Sequence, residues 1–178
     1  MLGWMRNPEE VGLYKVAYQT ASLIPFGLMA VNTAIAPTLA KLYSIGKKDA
    51  LKRTIIAATA IALLFASPLV FSFLLAGPWV INHLYGNAYI EASTVLAILS
   101  IGFFFNTISG VSWQFLIMSG QEHKLLVILL LTVTIYLLLN ATIIPLWGVE
   151  GAVITKAFSL AVITSLVFCA LKLKPRRT

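Results

Sequence analysis

The residues best suited to chemistry lie on the first long apolar segment. At about 100° per residue, six of its side chains fall within roughly 40° of one direction on a helix: Lys15, Gln19, Ser22, Phe26, Met29 and Thr33. Four of them carry charge or form hydrogen bonds, which is typical of a surface facing a watered cavity or another helix. Lys15, a point charge with three donors, suits an anion such as phosphate. In the alternative interpretation, the Lys15 side chain extends along the helix so that its ammonium reaches the lipid headgroups at the outer membrane surface.

Further polar candidates lie on later apolar segments. Lys156 lies about one and a half turns into the last of them, where snorkelling is again the alternative to binding an anion. Asn106 is an amide at membrane depth, for which hydrogen bonding between helices is favoured over substrate contact. We keep it as a candidate beside the others, so the predicted substrate-binding residues are Lys15, Gln19, Ser22, Thr33, Lys156 and Asn106.

The sequence offers no pattern typical of an enzyme. It contains no nucleophile–base set, no carboxylate pair and no glycine-rich phosphate loop. His83 and His123 fall in opposite predicted loops, so they cannot share a metal. We therefore predict no catalytic residue, no metal and no cofactor. The basic residues lack the aromatic interleaving of nucleic-acid binders, so we expect no nucleic-acid partner.

The composition is that of an integral membrane protein. Hydrophobic residues make up 60% of the chain and charged residues 11%, against about 25% charged in soluble domains. Three long stretches carry no charge at all, at residues 54–90, 92–121 and 125–149. A membrane-crossing helix needs about 20 mostly apolar residues, so each stretch can hold at least one crossing. The lipid bilayer is thus the first predicted partner.

The apolar segments predict an all-α membrane domain spanning residues 1–178, with five transmembrane helices. Two basic runs follow apolar segments, a loop at 41–53 and a tail at 172–178, and Lys and Arg are retained on the cytoplasmic side. An even number of helices would place one run on the wrong side. We therefore predict a cytoplasmic (inner) membrane protein with its N-terminus outside and its C-terminus inside. The helices are expected at about residues 12–40, 54–76, 91–118, 125–145 and 151–171.

Several local patterns resemble the polysaccharide and oligosaccharide flippases of the multidrug/oligosaccharidyl-lipid/polysaccharide (MOP) exporter superfamily. They are an acidic turn with Gly-x-Tyr-x-x-Ala at a helix entry, a Pro-containing helix exit before a basic loop, an aromatic Gly-x-x-Tyr outer loop, and two polar turns near the end. The matching segments are Glu10–Ala17, Ala36–Tyr43, Leu84–Tyr89, Met118–Lys124 and Trp147–Ala152. Their order and spacing extend over the whole chain.

The resemblance implies a bundle of twelve or more helices in two six-helix halves around a central cavity. On that pattern, the five predicted helices look like the eighth to the twelfth, and the N-terminal half is a missing partner. The chain is expected to be the C-terminal part of a flippase that translocates lipid-linked oligosaccharide or polysaccharide precursors. Lys15 would then hold the phosphates of a polyprenyl-pyrophosphate-linked saccharide.

Two other functions stay open on the sequence. A cation-coupled multidrug exporter of the same superfamily would favour membrane-embedded Asp or Glu, and no predicted helix core contains one. A membrane scaffold or subunit without transport of its own agrees with the short length, but not with the polar stripe on the first helix.

Overall fold

The computed structural model describes residues 7–172, and this range contains helices and turns but no β-strand. The predicted all-α class is therefore confirmed. Residues 173–178 of the predicted basic tail lie outside the described range. The elements are α1 (Pro8–Ala21), α2 (Phe26–Ser44), α3 (Lys48–Tyr85), a 3-10 helix (Asn87–Tyr89), α4 (Ala92–Met118) and α5 (Glu122–Lys172).

The segment predicted as one helix, 12–40, consists of the two helices α1 and α2. Glu9 and Glu10 occupy the first turn of α1, where negative charge interacts favourably with the helix dipole. Pro25 precedes α2 and lacks the N–H that would continue the hydrogen-bond ladder. The two helices are bent by 42° at the intervening break. This bend corrects the straight helix assumed from the sequence.

Helix α3 is longer than the predicted 54–76 at both ends. It begins at Lys48, so only residues 45–47 separate it from α2 and most of the predicted 41–53 loop is helical. Its first turn is anchored because Leu51 packs in a buried cluster with Leu39 and Phe115. At Ala76, where the predicted helix ends, the backbone leaves helical geometry with φ −120° and ψ 19°, and a second helical segment continues from this kink to Tyr85.

Helix α5 is a hairpin of two helices joined at Gly148, which has φ 57° and ψ −134°. The Thr155 hydroxyl donates to Asn140 Oδ1 across the break at 3.2 Å. The Lys156 ammonium lies over the Tyr136 ring. Of these two contacts, the one made by the earlier residue of the first half of α5 reaches the later residue of its second half. The first arm, residues 122–147, therefore runs antiparallel to the second arm, residues 149–172.

Helix α4 is the centre of the bundle and packs against each of the four other α-helices. Half of its most apolar stretch is buried, against 22% for the corresponding stretches of α3 and α5. Polar groups on α4 are satisfied inside the bundle, since the Ser109 and Thr164 hydroxyls hydrogen-bond at 3.1 Å. Gly102 allows close packing on Ala157 of the second arm. α4 therefore fixes the position of the hairpin.

Three helices in the described chain are long and apolar enough to cross a membrane: α3, α4 and residues 122–169 of α5. The bent pair of α1 and α2 makes a fourth candidate span. The exposed faces of α3 and α5 are lined by large apolar side chains such as Leu75 and Leu138. These faces suit contact with lipid, so the chain is an integral membrane protein with several candidate spans.

The Gly148 backbone gives the first testable prediction. Its dihedral angles lie in a region that only glycine adopts without strain. We expect Gly148→Ala to lower the free energy of unfolding by about 1–3 kcal/mol, measured by circular dichroism during denaturation in mixed micelles. Gly12→Ala is the control, because its φ is not positive and a Cβ there meets only Tyr89 Cε1 at 3.9 Å. Equal stability of the two variants would contradict the prediction.

Candidate functional site

The polar stripe predicted on the first helix is exposed along its whole length. Lys15 and Gln19 lie on α1, Ser22 in the bend and Thr33 on α2. The Ser22 hydroxyl donates to the Gln19 carbonyl at 2.7 Å, and that of Thr33 to the Met29 carbonyl at 2.9 Å. The stripe therefore faces away from the described bundle, and the 42° bend divides it between two helix axes.

Lys156, on the second arm, occupies a different environment. It is half-buried, and its ammonium lies 5.5 Å from the centre of the Tyr136 ring. An ammonium over an aromatic face is stabilised by the ring quadrupole. Among the described residues, no carboxylate interacts with this ammonium. The charge is thus compensated by an aromatic ring rather than by an acid.

Two tyrosines of α1 join this lysine in what we call the tyrosine–lysine cluster, which comprises Tyr14, Tyr18, Tyr136 and Lys156. The Tyr14 and Tyr18 rings stack with their centroids 6.0 Å apart, and Tyr18 also contacts Phe103 of α4 at 5.8 Å. α1 also packs against the hairpin that carries Tyr136 and Lys156. The cluster therefore connects α1 to the hairpin.

The hairpin holds Lys156 through a buried pair of polar residues beside it. Asn140 and Thr155 are 2% and 1% exposed, and they hydrogen-bond to each other across the two arms. The Asn140 amide also donates to the Tyr136 carbonyl at 2.7 Å. Asn140 therefore links the backbone of Tyr136 to Thr155, the residue before Lys156.

Asn106 lies elsewhere in the bundle. It is half-buried on α4, and its carbonyl accepts a hydrogen bond from Ser109 at 3.2 Å. Ser109 in turn contacts Thr164, about two helical turns along the second arm from Lys156. Among the contacts of the described residues, none joins Asn106 or Lys15 to Lys156. The structure therefore brings Lys156 to the tyrosines rather than to the other predicted site residues.

The tyrosines were missing from the sequence prediction. Tyr14 and Tyr18 have the i, i+4 spacing of one helix face, and each directly precedes a predicted site residue, so this signal was available. Tyr136 carries no such local signal. It meets Lys156 only because the chain reverses at Gly148.

Charge is distributed unequally between the two ends of the bundle. Glu10, Glu91 and Glu150, from α1, α4 and the hairpin turn, line one cavity of about 590 Å³. The turn that joins α4 to α5 lies at the other end and carries Lys124. Within the described part of the chain, no group of three His, Cys, Asp or Glu side chains is placed to hold a metal ion.

Comparison with known proteins identifies relatives of this chain. Residues 1–94 match a family described as polysaccharide biosynthesis protein. The chain is 27% identical over 169 residues to the "Probable low-salt glycan biosynthesis flippase Agl15" of Haloferax volcanii, covering 93% of this chain and 35% of that protein. It is 27% identical over 164 residues to the "Probable flippase AglR" of the same organism, covering 90% and 34%.

A further relative is the "Uncharacterized membrane protein MJ1068" of Methanocaldococcus jannaschii, 27% identical over 143 residues, which cover 80% of this chain and 28% of that protein. The chain thus spans about a third of the length of the curated relatives it matches. No solved structure matches it. The resemblance to polysaccharide flippases inferred from the sequence motifs is confirmed by the family match and the two named flippases. The chain belongs to the polysaccharide biosynthesis protein family, whose characteristic sequence covers its residues 1–94.

Proposed function

We propose that this chain is the C-terminal part of a flippase that translocates lipid-linked oligosaccharide or polysaccharide precursors across the cytoplasmic membrane. The observation that carries the proposal is Lys156, a half-buried cation on an apolar helix without a carboxylate partner in the described chain. A lysine at the centre of a membrane helix costs roughly 2.5–3.5 kcal/mol on the insertion scale. An anionic substrate offsets that cost when it binds.

The chemistry around Lys156 suits a pyrophosphate joined to a sugar. The ammonium supplies positive charge and hydrogen-bond donors to phosphate oxygens. The Tyr136 ring holds the ammonium in place before the substrate arrives. The tyrosine hydroxyls of the cluster supply donors and acceptors for saccharide hydroxyls. No bond is made or broken in this process, so the chain is not an enzyme.

The exposed stripe forms a second substrate surface in this proposal. Lys15, Gln19, Ser22 and Thr33 face away from the described helices, where the missing N-terminal half would close a cavity against them. Lys15 would attract phosphate at the outer end of that cavity. Asn106 would contact substrate at a deeper level, about two turns from Lys156.

The hairpin supports a proposal of five membrane crossings. Residues 122–169 would measure about 72 Å as one straight helix, more than twice the roughly 30 Å hydrocarbon core, so each arm is one crossing. The pair α1–α2, then α3, α4 and the two arms, make five. Because the cationic turn at 45–47 and Lys124 then share one side, we place the C-terminus inside and the N-terminus outside.

The proposed partner is a set of six or seven preceding helices. The relatives are about three times longer than the matched region. Transporters of this kind rock one helical half against the other around a site near the membrane midplane. The described chain would supply one of those halves.

Co-expression tests the proposal. In cells lacking their own polysaccharide flippase, we expect the chain together with the N-terminal half of a relative to restore surface glycan, and either half alone to leave it absent. Immunoblots of membrane fractions and co-purification of the two halves provide the controls. If the two halves co-purify and glycan stays inside the cell, the proposed function is wrong.

A further inference from the structure

The turn between α2 and α3 carries a strongly positive surface. Residues 41–53 contain five cations and one acid, a net charge of +4, and all six of these side chains are exposed. The cations are Lys41, Lys47, Lys48, Lys52 and Arg53, and the acid is Asp49. Such a concentration of exposed positive charge attracts anionic partners.

Asp49 divides these cations into two groups. On a helix, residues three and four apart are neighbours, whereas adjacent residues do not face each other. Asp49 therefore lies beside Lys52 and Arg53 of α3, and it does not face Lys48. The remaining lysines surround the turn at residues 45–47, and we call them the basic turn: Lys41, Lys47 and Lys48. The basic turn is thus the part of this surface whose charge Asp49 compensates least.

The backbone of the basic turn is fixed by hydrogen bonds and by packing. The Lys47 N–H donates to the Leu42 carbonyl at 3.1 Å, so the chain folds back onto α2. Gly46 has φ 70°, a left-handed conformation that glycine adopts without strain. Leu51, at the start of α3, is buried in a cluster with Phe115 of α4. The three lysines therefore extend from a fixed corner of the bundle.

The length of α3 indicates that this corner lies at the level of the lipid headgroups. Lys48 begins α3, a helix apolar enough to cross a membrane, and residues 48–75 precede the kink at Ala76. These 28 residues measure about 42 Å, which matches the roughly 40–45 Å of a bilayer with its headgroups. Tyr43, 40% exposed at the end of α2, agrees with this level, because tyrosine is enriched at membrane–water interfaces.

The charge of the basic turn selects among headgroups. Lysines near a membrane surface attract anionic lipids. A zwitterionic phospholipid gains less at the same place, because its own cation is repelled. The partner that fits both the level and the charge is therefore an anionic phospholipid.

We propose that the basic turn binds the headgroup phosphate of an anionic phospholipid. The proposal requires that the chain resides in a bilayer, but it does not depend on flippase activity. Lys156 and the tyrosines take no part in it. Its test can therefore fail while the proposed function stands, and the reverse is also possible.

The experiment uses the full chain in phosphatidylcholine bilayers that contain a trace of spin-labelled lipid. The fraction of label immobilised by the protein, read by electron paramagnetic resonance, gives the relative affinity of phosphatidylglycerol over phosphatidylcholine. We expect phosphatidylglycerol to be preferred, and this preference to weaken at high salt. Lys48→Gln should lower it by up to about fivefold, the effect of one lysine near a membrane surface, whereas Lys48→Arg should keep it.

A matched variant separates the basic turn from general surface attraction. Lys52→Gln removes an exposed lysine from the same helix, but one that has Asp49 beside it. We expect Lys52→Gln to lower the preference less than Lys48→Gln does, and Lys47→Gln to act like Lys48→Gln. If Lys52→Gln lowers it as much, or if Lys48→Gln leaves it unchanged, the basic turn is not the site.

The depth of the turn gives an independent measurement. In a Cys169→Ser chain, a spin label is attached at Ser44→Cys, in the exposed last residue of α2. Leu64→Cys is the reference for the lipid interior, because Leu64 is 70% exposed near the middle of α3. We expect collisions with oxygen and with a water-soluble nickel complex to place the label at position 44 among the headgroups. Collision rates equal to those of a label in free water would overturn the proposal and favour a soluble anion instead.

Discussion

Gly102→Val is expected to lower the free energy of unfolding by about 3 kcal/mol, the upper part of the range for overpacked cores. A Cβ built on Gly102 lies 3.0 Å from Ala157 Cα, 3.2 Å from Ala157 Cβ and 3.2 Å from Leu160 Cδ1. The nearest of these atoms belongs to the backbone, which cannot rotate away as a side chain does. The two methyl groups of valine add to the overlap, so α4 and the second arm must separate.

Denaturation in mixed micelles followed by circular dichroism measures this loss. Gly12→Val is the matched control, since the only atom within 4 Å of its added Cβ is Tyr89 Cε1 at 3.9 Å. Gly110→Val should fall between the two, because the neighbour of Gly110 is the flexible side chain of Leu28. If Gly102→Val and Gly12→Val unfold at the same denaturant concentration, the packing of α4 on the hairpin is not as described.

The close approach at Gly102 also bears on the candidate site. Ala157 follows Lys156 in sequence. The close contact between Gly102 and Ala157 therefore sets the distance between α4 and the second arm, which carries Lys156. Tyr18 packs on Phe103, the residue after Gly102. One stretch of α4 therefore positions both sides of the tyrosine–lysine cluster, and we expect Gly102→Val to impair function through the fold.

The class of the protein and the position of α4 could be predicted from the sequence. The predicted helix 91–118 agrees with the observed Ala92–Met118, because Glu91 precedes it and the turn at Gly120 follows it. In the sequence, the charged Glu91 marks the start of this helix and the glycine at position 120 marks its end.

The bounds of the other helices could not be predicted as well. α1 ends at Ala21 and Pro25 directly precedes α2, whereas α3 runs through Pro68 and Pro78 to Tyr85 with a kink at Ala76. The sequence around these prolines does not distinguish the two outcomes, because neighbouring helices can satisfy the freed carbonyls in membrane proteins. Hydropathy therefore locates the apolar core of each segment, and tertiary packing decides where the helix begins and ends.

The sequence could predict only part of the candidate site, because the rest depends on how the helices pack. Lys156 stands out as a cation in an apolar run, but Tyr136 is 20 residues away and meets it only through the hairpin. The stripe from Lys15 to Thr33 was projected on a straight helix, whereas the chain bends by 42° between its two halves. Residue type alone thus identified Lys156 as a candidate, whereas its contact with Tyr136 depends on the three-dimensional packing.

If the proposed function holds, Lys156→Gln is expected to lower the initial rate of translocation of lipid-linked saccharide about 10- to 100-fold in vesicles that contain this chain and the N-terminal half of a relative. A hydrogen bond to a charged group contributes about 1.5–3 kcal/mol, and glutamine is polar and only slightly shorter than lysine but carries no charge. Lys156→Arg should reduce the translocation rate much less, because arginine keeps the charge and stacks on Tyr136. Lys52→Gln, on the exposed basic start of α3, is the control.

The stability of the same variants separates substrate binding from a structural role. No carboxylate in the described chain compensates Lys156, so removing its charge relieves a desolvation cost and should leave the fold as stable or more stable. A structural role through the Tyr136 contact predicts the opposite, a loss of stability in Lys156→Gln that parallels the loss of rate. Tyr136→Phe keeps the ring and should keep most of the rate, whereas Tyr136→Leu should reduce it. A translocation rate unaffected by Lys156→Gln would show that the substrate phosphates bind elsewhere, and the exposed Lys15 would then be the candidate to test.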